Sequence, residues 1–225
     1  AYFDLIGLPP TPKQIEDFLR DPRPDAFAMV IDTLLADPGY GERWGRHWLD
    51  TARYSDTRGD GSRGPDYRYP YAWSYREWVI NAINSDMPYD QFILNQIAAD
   101  RIADNRKENL AALGFLTVGQ RFPNRDDVIN DRIDVVGRGL LGLTLACARC
   151  HDHKFDPITA ADYYALRGIF DSCTEPVEGP LISGDPNSPA FVEFNEKLAS
   201  LEKKSFDAYF VLLREVADTC RKNSA

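Results

Sequence analysis

Cysteine and histidine are scarce in this chain, with four and three respectively among 225 residues. Cysteine at that density excludes a disulfide-built scaffold. Only Cys147 and Cys150 stand close together, whereas Cys173 and Cys220 are isolated. Spacing gives a Cys173–Cys220 bridge no support, so two free, buried thiols are the plainer expectation. Long apolar runs are also lacking. The longest, around Leu140 to Ala148, is broken by Gly142 and Thr144 and falls short of the roughly 18 residues that a membrane span needs. Positive charge is in deficit as well, with 26 Lys and Arg against 35 Asp and Glu and a net charge of −9. Such an acidic chain is a poor partner for nucleic acid or an anionic membrane surface, and basic partners suit it better. The opening Ala1-Tyr2-Phe3-Asp4 has neither the basic start nor the apolar stretch of a signal peptide. It reads as the start of an excised domain, whose compartment has to be inferred from its chemistry.

What is present is a globular composition, 44% hydrophobic and 12% aromatic, long enough for one large domain or two small ones. Its periodicity is helical almost throughout. Phe27, Val30, Ile31, Leu34 and Leu35 repeat at the spacing of a helix that buries one face, and Ile129, Ile133, Val136 and Leu140 do so again. Thr11-Pro12 ahead of Gln14 predicts an N-cap with proline at the first helical position. Pro88 predicts the start of another helix through Phe92, Ile93, Gln96 and Ile97. No alternating run ends in a hairpin turn, so sheet should be minor.

Three stretches read as loops: Ser55 to Pro70, Phe122 to Asp127, and Glu175 to Pro189, the last carrying Pro176, Pro180, Pro186 and Pro189. Beyond it, Phe191 to Asn223 reads as one long amphipathic helix with Leu198, Leu201, Phe206, Tyr209, Leu213 and Val216 on its apolar side. The expected organisation is a main domain over residues 1–175, then a Pro/Gly-rich linker and the long C-terminal helix over residues 176–225.

Cys147-Ala148-Arg149-Cys150-His151 is the pattern of covalent c-type haem attachment. Two cysteines three positions apart reach the two vinyl groups of one porphyrin edge, and the adjoining histidine supplies an axial imidazole to the iron. A zinc site drawn from Cys147, Cys150, His151 and His153 is the main rival, although such neighbouring ligands crowd a tetrahedral ion. A redox-active cysteine pair needs a βαβ context that is absent from the pattern.

A second iron ligand has few sources: His47, His153, Met29 and Met87. His153 starts on the same side of the ring as His151. His47 is better placed, because Trp44, His47, Trp48 and Thr51 share one helical face and make an aromatic wall with an imidazole in it. A core histidine among aromatics is the plain alternative. Arg43, Arg46 and Arg53 are candidates for haem propionates, since a guanidinium matches a carboxylate bidentately; more often such arginines are solvated or paired with acids. His153 and Asp156 are candidates for holding the His151 segment from behind. Asp56-Thr57-Arg58-Gly59-Asp60-Gly61 is oxygen-rich and raises calcium as a weak candidate, but it does not match the twelve-residue calcium loop, and a plain surface loop explains it better.

Three blocks in order carry a resemblance: Phe3-Asp4-Leu5-Ile6-Gly7-Leu8-Pro9-Pro10-Thr11-Pro12, Tyr40 to Asp50, and Gly142 to Ile158, with Asp86-Met87-Pro88-Tyr89-Asp90-Gln91-Phe92 between them. Over residues 1 to 175 the chain resembles the planctomycete cytochrome-c-like domain, found inside very large exported proteins. The resemblance implies a periplasmic or cell-surface setting and neighbouring domains in a larger chain. Taken together, these readings predict a mainly α, multi-helix c-type cytochrome-like domain, larger than a minimal cytochrome c and with long loops. It would hold one covalent haem c between the motif and the His47 helix, and pass single electrons to a redox partner or a neighbouring domain. A haem enzyme or gas-binding domain with an open distal site, and a zinc-stabilised interaction module, are the alternatives.

Overall fold

The computed structural model describes residues 1–57, 68–103, 106–119, 122, 124–176 and 179–223. The fold is mainly helical, and among these residues the only β-pairing is an isolated antiparallel bridge between Thr57 and Arg68. The chain forms two compact units, Ala1–Pro180 and Leu181–Ala225.

The first unit opens with α1 (Tyr2–Leu5), α2 (Pro12–Arg20) and α3 (Ala26–Leu35). Thr11 starts α2 with a capping box: the Gln14 N–H donates to Thr11 Oγ1 at 3.3 Å and the Thr11 N–H to Gln14 Oε1 at 2.7 Å. This satisfies two backbone donors that a helix start otherwise leaves unpaired. The apolar face of α3 is only partly covered. Leu34 is buried, while Phe27 is 59% and Leu35 43% exposed; among the described residues α3 packs mainly against the short helices α1 and α2.

The larger core is built from α4 (Gly39–Thr51), α5 (Ala72–Asn84), α6 (Tyr89–Ala98) and a 3₁₀ segment, Lys107–Leu116. Helices α4 and α5 cross closely because Gly41 and Gly45 are buried at the contact. A side chain on Gly41 would lie 2.6 Å from the Asn84 carboxamide, which accepts the Gly41 N–H at 2.8 Å and donates to the Pro38 carbonyl at 3.0 Å. Around that crossing, Tyr75, Trp78, Val79, Phe92 and Phe115 are buried together; each such apolar side chain contributes about 1.5–3 kcal/mol on leaving water. Gln96, itself fully buried, is satisfied: its Oε1 accepts from Trp48 Nε1 and the Tyr75 hydroxyl, each at 2.7 Å, and its amide donates to the Phe92 carbonyl.

A second apolar cluster joins α7 (Arg125–Val136), a 3₁₀ turn over Leu145–Arg149 and α8 (Ala160–Asp171) through Ile129, Ile133, Leu145, Ala148, Tyr163 and Phe170. Leu116 and Val136 pack against both clusters. Helix α7 begins inside the stretch read as a polar link, because Asn124 caps it by accepting the Asp127 N–H at 2.8 Å. The unit Leu181–Ala225 is dominated by α9 (Pro189–Asn223), whose apolar positions Leu198, Leu201, Phe206, Tyr209, Leu213 and Val216 are exposed.

Candidate haem site

The segment that presents Cys147, Cys150 and His151 is a loop framed on every side. It follows α7 through a π-helical turn, Gly137–Leu141, closed by Gly142 in the left-handed conformation. Gly137 is packed so tightly that a Cβ there would lie 2.7 Å from Leu145 Cγ and 2.8 Å from the Leu143 carbonyl oxygen. Leu145 and Ala148 anchor the 3₁₀ turn in the second core cluster, which leaves Cys147 and Cys150 exposed as free thiols. Arg149, between the cysteines, is half-buried. Its guanidinium meets Asp127 of α7 at 3.2 Å, and its carbonyl accepts from the Tyr164 hydroxyl of α8 at 3.1 Å.

The two motif-proximal histidines have different roles. His151 is exposed, and its Nδ1 donates to the Asp152 carbonyl at 2.7 Å. That bond leaves the Nε2 lone pair free to face outward, the arrangement in which a histidine binds a metal. His153 is turned inward, with a side chain only 9% exposed. Its Nδ1 accepts the backbone N–H groups of Phe155 (3.3 Å) and Asp156 (2.9 Å), so the ring carries its proton on Nε2 and donates it to Thr144 Oγ1 at 3.0 Å. His153 therefore ties the start of the loop to its end. Asp152 completes the frame by accepting the Ala160 N–H at the start of α8, 2.8 Å away.

Trp44, His47, Trp48 and Thr51 lie on one face of α4, as wall of an open groove of about 480 Å³ that also takes in Tyr40, Asp86, Met87, Tyr89 and Phe92. Two of the four candidates for a second iron ligand, His47 and Met87, thus share one groove. The sequence placed them 40 residues apart with no sign of this, since the turn after α5 that returns Met87 to α4 is a long-range event. The groove is lined by none of Cys147, Cys150 and His151. It belongs to the first core cluster and the motif to the second.

The arginines separate by environment. Arg43 lays its stem across Gly7, whose Cβ would lie 3.1 Å from Arg43 Cδ, and its Nε is buried without a partner. Arg46 is exposed. Arg53 pairs with Asp131 at 2.9 Å, with its Nε and Nη1 buried and unpartnered. Burial pushes the Arg53 guanidinium below its usual value and the Asp131 carboxyl above its own, each partly offset by the other's charge. Of the calcium candidate, Asp56 and Thr57 are described, and Arg58-Gly59-Asp60-Gly61 lies outside the described residues. Among the described residues no group of three or more His, Cys, Asp or Glu side chains is placed to hold a metal ion. Cys173 and Cys220 form no disulfide and are exposed, not buried as expected. Cys173 follows the end of α8, with its thiol on the Ile169 carbonyl.

Residues 1–175 match the family described as PSCyt2, protein of unknown function (DUF1549). The chain belongs to this planctomycete-associated domain family. No curated protein and no solved structure matches the chain.

Proposed function

We propose that this chain carries one covalent c-type haem on Cys147 and Cys150, with His151 as an iron ligand, and works as a one-electron carrier. The observation that carries the reading is the state of the motif loop: two free, exposed thiols beside an exposed imidazole whose Nδ1 is occupied. The donor set fits the cofactor. Thiols that must form thioethers need to be reachable, and a ligating imidazole needs its other nitrogen held. The iron of such a haem would supply the one-electron couple, and the chain's own task is to hold the attachment loop still. Arg149, His153 and Asp152 do this from inside the loop. In this reading His47 is the candidate second ligand, Trp44 and Trp48 are its aromatic surroundings, and Arg46, exposed on the same helix, is the candidate partner of a propionate. The Arg43 stem is engaged on Gly7.

Covalent haem attachment of this type takes place outside the cytoplasm, which makes a periplasmic or cell-surface setting part of the proposal, with a redox protein or neighbouring domain as partner. No helix among the described residues is long and apolar enough to cross a membrane.

One observation favours a second reading. The groove that holds His47 contains no residue of the attachment motif, which favours a haem with an open face and hence a gas-binding or catalytic domain. The absorption spectrum of the haem-loaded chain separates the two. A low-spin ferric spectrum that becomes high-spin in His47→Ala supports the electron carrier with two protein ligands. A high-spin spectrum in the unaltered chain, with rapid carbon monoxide binding on reduction, supports the open site. The zinc-stabilised module would require His153 to give up at least the backbone N–H bonds that its Nδ1 now accepts from Phe155 and Asp156.

A further inference from the structure

The groove on α4 holds His47, Trp44 and Trp48, which the two-ligand haem reading uses, and also Asp86 and Tyr89, which it does not. Its floor is fixed: Trp48 is held by its N–H bond to Gln96, and its ring packs against Phe92 at 4.8 Å between centroids. Its rim carries Trp44, 43% exposed, and Tyr89, 65% exposed. Asp86 also lines it, and its carboxylate makes no hydrogen bond or ion pair among the described residues.

Asp86 occupies an unusual backbone position. Helix α5 ends in a Schellman turn, in which the Met87 N–H donates to the Ala82 carbonyl at 2.9 Å and the Asp86 N–H to the Ile83 carbonyl at 3.0 Å. Asp86 is the residue with positive φ, +50°, at the position where glycine is most easily accommodated. The turn therefore forms at some conformational cost and sets an unpaired carboxylate at the edge of an aromatic groove.

We propose that this groove binds a small organic cation with an N-alkylated ammonium head. Aromatic faces attract such cations through their quadrupoles, most strongly when the cation is partly desolvated between several rings. Asp86 supplies the countercharge, and the chain's net charge of −9 draws cations toward it. A volume of about 480 Å³ suits a small molecule. The site is lined by none of Cys147, Cys150 and His151; because it shares His47 with the two-ligand reading, it rests on the open-face reading of the haem.

The test is calorimetric titration of the full 225-residue chain, as purified after haem maturation, with choline and with its neutral isostere 3,3-dimethylbutan-1-ol. Choline is expected to bind saturably and the neutral isostere at least about tenfold more weakly, the scale of a desolvated cation–aromatic contact. Asp86→Gly removes the carboxylate at a position that favours glycine, so it should fold as well as the parent and bind choline about tenfold more weakly; Trp44→Ala should also weaken binding. No saturable choline binding, equal binding of the isostere, or unchanged affinity in Asp86→Gly would each overturn the proposal. Haem content and ferric spin state, measured on the same sample, report separately on the cysteine motif and on His47: an iron ligated by His47 would fill the groove and overturn the proposal, whereas a haem with an open face, or none, leaves choline binding as the deciding result.

Discussion

Arg149, set between Cys147 and Cys150, reaches across to Asp127 in the first turn of α7, 3.2 Å away. Asp127 is held below its ordinary value, first by its bond from Asn124 and then by Arg149. The cap that starts α7 and the contact that fixes the motif loop therefore share one carboxylate. Replacing it loosens both. In Asp127→Asn the backbone amides of residues 145–151 should exchange with solvent faster than in the parent, as read by hydrogen-exchange mass spectrometry. Haem attachment should persist, since both thiols and His151 are untouched. Unchanged exchange would show that the α8 contacts alone hold the loop.

His151 and His153 are two residues apart, and their substitution should have opposite consequences. His153→Ala removes a nearly buried ring that accepts from two backbone N–H groups and donates to Thr144. The expected loss is about 1–3 kcal/mol of stability, the usual cost of leaving buried groups unpaired, with covalent haem and its spectrum retained. His151→Ala should leave stability nearly unchanged, because the ring is exposed, and should alter the iron spectrum. Thermal unfolding and absorption spectra of the two variants check both halves.

Much of the fold is legible in the sequence, for local reasons. Thr11-Pro12 with Gln14 encodes its capping box, Pro88 precedes α6, and the long amphipathic pattern after Pro189 is α9. Periodicity says which face of a helix is apolar but not what covers it. Thus the stripe on α3 runs through Phe27 and Leu35, yet both remain exposed. The same gap affects the site. The grouping of Trp44, His47 and Trp48 on one face follows from helical spacing, whereas the presence of Asp86 and Met87 in that groove depends on how α5 crosses α4. So does the division of the groove and the motif between two core clusters. A supporting role for His153 is legible from its position two residues after His151, but its partner Thr144 lies across the loop and has no sequence signal.

Acid should loosen the motif frame. The Asp127 and Asp162 carboxyls are both held below the ordinary aspartate range, Asp127 chiefly by Asn124 and Asp162 by the backbone N–H of Thr159. A carboxylate with a lowered folded-state value stabilises the fold in full above its unfolded value, and that contribution is lost as pH falls through the folded value. Amide exchange in the motif loop, corrected for its intrinsic pH dependence, should therefore stay constant from neutral pH down to the carboxylate range and rise below it. Asp127→Asn should show a smaller rise. A rise already complete near neutral pH would assign the effect to other groups.

Gly137→Ala tests the packing beneath the motif. A methyl group there would meet Leu145 and the Leu143 carbonyl inside contact distance, and neither can move without shifting the segment that leads to Cys147. The expected destabilisation is about 1–3 kcal/mol, typical of overpacking a tight site, together with faster alkylation of Cys147 and Cys150 in protein made without haem. Thermal melts and thiol-modification rates report the two effects separately.

The most direct test of the haem reading is a pyridine haemochrome assay on the chain produced in cells competent for c-type maturation, beside Cys147→Ala/Cys150→Ala. The account predicts one haem per chain that remains bound through acid–acetone extraction, and none in the double variant. A chain that emerges from competent maturation with no covalent haem would contradict it.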